Sequence, residues 1–322
     1  MDGDSQNDLD ALLLGEPLTL DREDVERLSG VPADVARDVW TAMGFAEIPY
    51  GEKAFTRADV KALQTAVELL ELGVVDLDTT LVMARAMGQG LSRLAEAQVD
   101  VLRARSGDQP VEDALAEIAS RADEVLPRLD DLMLFMWRRQ FAAAVQRSIA
   151  TVREHGMPVL AVGFVDIVGF TKSSRSWDAS QLERTLEQFE RDFALRVVGV
   201  GGRIIKTLGD GVLYTTDRPA DAVKVALDAV EQHAADPDLP EVRGGVACGP
   251  VLLRLGDVFG EPVNIASRLS SEARPGSVLV DKHVADALGP EVQVLQLHRR
   301  SVRGYRSLTP YLVRPSDRAA DA

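Results

Sequence analysis

The sequence predicts an α+β chain: an N-terminal all-α domain, then a ferredoxin-like βαββαβ domain with further elements after it. Apolar residues recur at helical spacing from Leu18 to about Ala150. That pattern stops at His155-Gly156-Met157-Pro158, a turn or linker sequence. Beyond it, short apolar runs of strand length alternate with helical stretches.

Residues 1–15 read as an acidic tail, disordered or loosely docked. A helix begins at Asp21, with acids in its first turn where the macrodipole favours them, and Gly30-Val31-Pro32 interrupts it. A short helix spans Asp34 to Met43. A longer one starts at Thr56, a suitable N-cap, and runs to about Leu72, with Gly73 fit for the C-cap. Further helices are expected over 78–105 and 111–126. Residues 128–154 read as one long connector helix. Its Leu132, Leu134, Phe135, Trp137, Phe141 and Val145 suit a core or a dimer seam.

In the second half, Pro158–Ile167 is a buried strand and Ser180–Val200 a helix. Gly202–Thr216 forms two strands joined by a tight turn at Leu208-Gly209-Asp210-Gly211, and Ala220–Ala235 is a helix. Val242–Leu253 is a strand or strand pair, Asn264–Glu272 a helix, and Ser277–Val280 a strand. The domains are therefore expected at 1–154 and 155–322.

The chain has 322 residues and a formal charge of −15, most of which falls before residue 151. An acidic first half argues against general affinity for nucleic acid or anionic membrane. No run is long and apolar enough for a membrane-spanning helix, and Met1–Asp10 lacks the features of a signal peptide. One cysteine excludes an internal disulfide framework. These features together read as cytoplasmic.

Three segments carry candidate chemistry. The first is Val-Gly-Phe-Val-Asp-Ile-Val-Gly-Phe-Thr (162–171). The second is Gly-Gly-Arg-Ile-Ile-Lys-Thr-Leu-Gly-Asp-Gly (201–211). The third is Gly-Asp-Val-Phe-Gly-Glu-Pro-Val-Asn-Ile-Ala-Ser-Arg-Leu (256–269). Asp166 interrupts an apolar strand, and Asp210 sits at a hairpin tip. Strand order in a βαββαβ sheet lets the two converge, and two carboxylates can hold Mg²⁺ or Mn²⁺ against a triphosphate. Taken singly, a strand-end cap and plain turn chemistry account for them too. Lys206, four residues before Asp210, is expected on the same strand and face. With Asp257 it can read the donor–acceptor edge of a purine, or form a simple structural ion pair. Asn264 and Arg268 share a helix face, where they can orient a ribose and stabilise phosphoryl charge, or merely be solvated.

The full set, in this order, resembles the class III nucleotide cyclase catalytic domain over about residues 158–315. That resemblance implies a cyclase fold and formation of cyclic AMP and pyrophosphate from ATP. It implies two divalent cations, Mg²⁺ or Mn²⁺, bound by Asp166 and Asp210 with help from the Ile167 carbonyl. Lys206 and Asp257 would select adenine, Asn264 would place the ribose, and Arg268 would stabilise the transition state. Phe170 and Thr171 would lie against substrate, and Arg303 against the triphosphate. It also implies a head-to-tail homodimer with composite active sites. Asp257 stands where bicarbonate-responsive members usually carry Thr, so no bicarbonate activation is expected.

The N-terminal half resembles the helical regulatory domain that precedes the cyclase domain in some actinobacterial enzymes. That resemblance implies regulation by pH, a fatty acid or another lipid, with His155 at the junction as a candidate titrating group. Segments at 18–32, 40–45 and 53–63 also resemble a MerR-type helix-turn-helix. The alternative is thus a nucleotide-sensing DNA-binding regulator, which the acidic composition weakens.

Overall fold

The computed structural model describes residues 3–106, 120–153, 157–170, 177–237, 239–298, 300–302 and 305–316. Two compact units are present, Met1–Ala144 and Val145–Ala322.

In the first unit, α1 (Gly3–Leu14) replaces the expected tail. Its half-buried Leu9 and Leu12, spaced three apart, account for the order. Helix α2 (Arg22–Ser29) is N-capped by Asp21 in a capping box with Asp24. Lys53 donates to both carboxylates, at 2.6 and 2.7 Å, which folds the 45–55 loop back onto α2. A β-bridge between Leu20 and Phe55, which helical periodicity does not signal, closes that loop. Helix α3 is Ala33–Ala42. Helix α4 (Arg57–Glu71) starts at the expected Thr56 cap, completed by Asp59. Val25, Phe55 and Val60 form the small core.

Helix α5 (Leu77–Ser106) follows, then α6 (Ala122–Arg153). Expected helix 111–126 lies mostly outside the described residues, and its end belongs to α6. The connector therefore starts six residues earlier than Arg128. Pro127 lies in its second turn and removes one backbone donor there. Asp123 and Glu124 in the first turn, and buried Ala122, hold the start. Leu132, Leu134, Phe135, Trp137, Phe141 and Val145 of α6 are exposed.

The second unit is built on a seven-stranded sheet ordered β2-β3-β1-β4-β7-β11-β8. Its first four strands are β1 (Val159–Ile167), β2 (Arg203–Thr207), β3 (Gly211–Thr216) and β4 (Val242–Pro250). With α7 (Ala179–Gly199) and α8 (Pro219–Ala235) they make the expected βαββαβ unit. The hairpin β5 (Leu252–Arg254) and β6 (Asp257–Phe259) leads into α9 (Glu261–Glu272). Strand β7 (Val278–Val280) runs parallel to β4. Then come α10 (Lys282–Ala287), β8 (Val292–Gln296), the small β9 (Arg300–Val302) and β10 (Tyr305–Leu308) pair, and β11 (Tyr311–Pro315).

Strand β1 is buried on both faces, so its residues alternate between two cores. Ala161, Val165 and Ile167 meet Phe189 and Phe193 of α7 and Val223 and Ala226 of α8. Leu160 and Val162 meet Leu213, Ala247 and Ala266 of α9. Gly163 is required because the Tyr214 ring lies where a Cβ would stand. That ring is fully buried and its hydroxyl donates to the Ala222 carbonyl at 2.7 Å. No described helix is long and apolar enough to cross a membrane.

His233, on α8, is 5% exposed. Its Nδ1 lies 2.6 Å from the Pro240 carbonyl, to which it donates, and its ring meets Phe189 edge-on. Burial holds its pKa below the ordinary 6.5. The unfolded chain therefore takes up a proton that the folded one resists, and this contribution to stability is lost as pH falls below about 6.5. We predict that His233→Gln flattens the loss of thermal stability between pH 7 and pH 5, measured as Tm against pH. An unchanged slope would exclude this group as its source.

Candidate active site

The site lies on the sheet face covered by α9. Asp166 projects from β1 toward that face, because it follows the parity of Leu160, Val162 and Phe164. In register it lies between Gly211 of β3 and Arg243 of β4. Asp210 is not on a strand. It sits in the β2–β3 turn, where its carbonyl accepts from the Ile167 amide at 2.9 Å and Leu208 N–H closes the turn onto Gly211 at 2.7 Å. The turn is thereby tied to the end of β1, and the charge of Asp210 reaches Asp166.

The expected shared face of Lys206 and Asp210 along one strand does not hold. Ile204 pairs with Tyr214 and Lys206 with Leu213, so Ile205 is an extra residue in β2. This bulge turns both Ile205 and Lys206 to the α9 side; simple alternation from Ile204 would aim Lys206 into the α7–α8 core. Lys206 then reaches Asp257 at the start of β6, Nζ to Oδ2, at 2.6 Å. Burial opposes ionisation of Asp257, but the Lys206 ammonium and the Val258 amide outweigh it and hold its pKa below the ordinary value.

Helix α9 carries Asn264 and Arg268 one turn apart, both exposed. Among the described residues neither side chain forms a hydrogen bond or ion pair. Its placement depends on Gly245. A Cβ there would overlap the Ala266 carbonyl and the Ser270 amide, so the α9 backbone rests directly on β4. Phe170, half-buried, meets Trp177 edge-on with ring centroids 6.0 Å apart. Thr171, His155 and Arg303 lie outside the described residues.

Sequence reasoning missed Arg243. Its Nη2 and Nε donate to the same Asp166 oxygen, Oδ2, at 2.9 and 3.2 Å, while Nη1 donates to the Ser271 carbonyl of α9 at 2.8 Å. The available signal was a lone cation entering an apolar strand. Burial pushes the Asp166 carboxyl up, Arg243 pulls it down, and Asp210 adds to the rise; the net position is above the ordinary value. Among the described residues, no three His, Cys, Asp or Glu side chains gather as a metal cage. Two carboxylates offer oxygen donors only. That set fits a hard cation that keeps water and substrate phosphates as its remaining ligands, as Mg²⁺ does.

A family model, the adenylate and guanylate cyclase catalytic domain, matches residues 152–315. The chain belongs to this cyclase family. An adenylate cyclase of Streptomyces coelicolor is 40% identical over 87% of this chain and 74% of its own length. An adenylate cyclase of Glutamicibacter nicotianae is 33% identical over 96% of this chain and 82% of its own. The pH-sensitive adenylate cyclase of Mycobacterium tuberculosis is 32% identical over 86% and 73%. Cyclase domains of this class generally use divalent metal ions and typically form dimers.

A separate concavity lies within the first unit. It is a cavity of about 1170 Å³ bordered by Val39, Trp40, Phe55, Leu63, Met83 and Met87, with Arg22 and Arg85 also on its wall.

Because Gly245 sets the seat of α9, we predict that Gly245→Ala costs about 1–3 kcal/mol by overpacking. Displacing Asn264 and Arg268 should also lower cyclase turnover roughly a hundredfold. Thermal melts and turnover of the variant check this; wild-type values for both would remove Gly245 as the determinant.

Proposed function

We propose that this chain, an adenylate cyclase by family, converts ATP to 3′,5′-cyclic AMP and pyrophosphate by two-metal catalysis in a head-to-tail homodimer, under control of its N-terminal helical unit. The observation that carries the nucleotide reading is the Lys206–Asp257 pair, 2.6 Å apart on the same sheet face as Asp166. Adenine offers an acceptor at N1 and a donor at the 6-amino group. Lys206 supplies the matching donor and Asp257 the matching acceptor. Asp166 and Asp210 would hold the two cations, with the Ile167 carbonyl as a further oxygen. Bound there, the cations would acidify the ribose 3′-hydroxyl and neutralise charge on the phosphates.

The reaction is an in-line attack of the 3′ oxygen on the α-phosphorus; the bond to the bridging oxygen breaks and pyrophosphate departs. Asn264 orients the ribose, and Arg268 donates to the charge that grows on the α-phosphate, where a placed donor is worth about 2.7–4 kcal/mol. Phe170, Thr171 and Arg303 belong to the substrate surround by resemblance. The proton on the 3′ oxygen passes to water or substrate, since the reaction requires no side chain among the described residues as its base.

Two features support the dimer. The side chains of Asn264 and Arg268 are exposed and, among the described residues, have no hydrogen-bond or ion-pair partner. The β5–β6 hairpin beside Asp257 exposes Leu252, Leu255 and Phe259, an apolar surface suited to a second copy.

For the regulatory unit, the cavity supports a lipid reading. Its wall is mostly apolar, its volume suits a long alkyl chain, and its arginines suit an acidic head. The acidic first half speaks for the enzyme over the DNA-binding alternative.

Turnover of ATP against GTP, with Mg²⁺ or Mn²⁺, tests the reading. We expect cyclic AMP from ATP, little product from GTP, and none after EDTA. A long-chain fatty acid should bind saturably and change that rate. Equal use of GTP would overturn the base-reading role of Lys206 and Asp257.

A further inference from the structure

Arg243, which the proposed mechanism does not use, forms an ion pair with Asp166. Antiparallel register sets the two residues directly opposite on β4 and β1, so the contact is built into the sheet and not left to a mobile side chain. Two guanidinium N–H groups converge on Asp166 Oδ2, and the third anchors to the Ser271 carbonyl. Both side chains are only about a quarter exposed, at 27% and 28%. The Asp166 oxygen that Arg243 occupies is thus held by a fixed cation on a partly dry sheet face.

We propose that Arg243 is a resident counter-cation that competes with the divalent metal for Asp166, so that a metal can engage Oδ2 only by displacing the guanidinium. This rests on the reading of Asp166 as a metal ligand. A Mg²⁺ ion binds oxygen at about 2.0–2.1 Å, and Oδ2, with two donors already directed at it, is closed to it, while Oδ1 on the Gly211 side stays open. A full positive charge a few ångströms from the metal also repels it. The Ser271 anchor keeps the guanidinium beside the site after release, able to return when the metal leaves. The Asp210 charge reaches Asp166 and repels it; Arg243 offsets that repulsion and holds Asp166 in place.

The test is Mn²⁺ affinity of the full chain without nucleotide, read from the electron paramagnetic resonance signal of free Mn²⁺. The proteins are wild type, Arg243→Met, Arg243→Lys, and Asp166→Asn alone and combined with Arg243→Met. We expect Arg243→Met to bind Mn²⁺ roughly tenfold more tightly than wild type. Arg243→Lys, which keeps the charge without the fork, should fall between them and serves if the methionine variant does not fold. Asp166→Asn should lose the site in both backgrounds. Unchanged or weaker binding by both Arg243 variants, with binding still lost in Asp166→Asn, would overturn the competition and leave the ligand role of Asp166 standing. Binding that survives Asp166→Asn would overturn that ligand role, and the competition with it.

Discussion

The register of β1 between β3 and β4 is the constraint on which the rest depends. β1 is buried on both faces, and each face packs against different helices. A slip of one residue would exchange the two apolar sets and turn Asp166 into the α7–α8 core. Two packed faces therefore hold the carboxylate in place more firmly than its own contacts do. The same register puts Gly211, with the Asp210 turn, on one side of Asp166 and Arg243 on the other. Site geometry is in this sense a by-product of core packing.

Helix α9 is the second rigid part. It lies on β4 without side-chain spacing at Gly245, and its far end accepts Arg243 through the Ser271 carbonyl. The helix that carries Asn264 and Arg268 is thus coupled to the strand pair that carries Asp166. Among the described residues the side chains of Asn264 and Arg268 have no partner, as the proposed composite site of two copies would need.

What the sequence made legible follows from what short-range patterns record. Asp166 stood out because a charge inside an apolar strand is expensive. The βαββαβ order was legible because helix and strand periods differ. Lys206 was identified, but its facing was not. A bulge at Ile205 changes parity without any local sequence mark, and it removed the basis for placing Lys206 and Asp210 on one face. Arg243 was invisible for a related reason: its partner lies across a strand pair, and only register names it. In the helical half, Thr56 was readable as a cap because Asp59 follows at the right spacing. The expected start of the connector at Arg128 was six residues late, since Pro127, near the start of a helix that is secured upstream, need not end it. The Leu20–Phe55 bridge that closes the loop beside the cavity is a single long-range pairing with no periodic signature.

The central claim is that each active site draws on two copies of this chain, one supplying the carboxylates and the other Arg268. The most direct measurement mixes two inactive variants, Asp166→Ala and Arg268→Ala, and assays cyclic AMP formation. Composite sites predict that the mixture regains about a quarter of wild-type activity, since half the dimers are mixed and each holds one intact site. A mixture as inactive as either variant alone, with subunit exchange verified, would contradict the account and place the whole site within one chain.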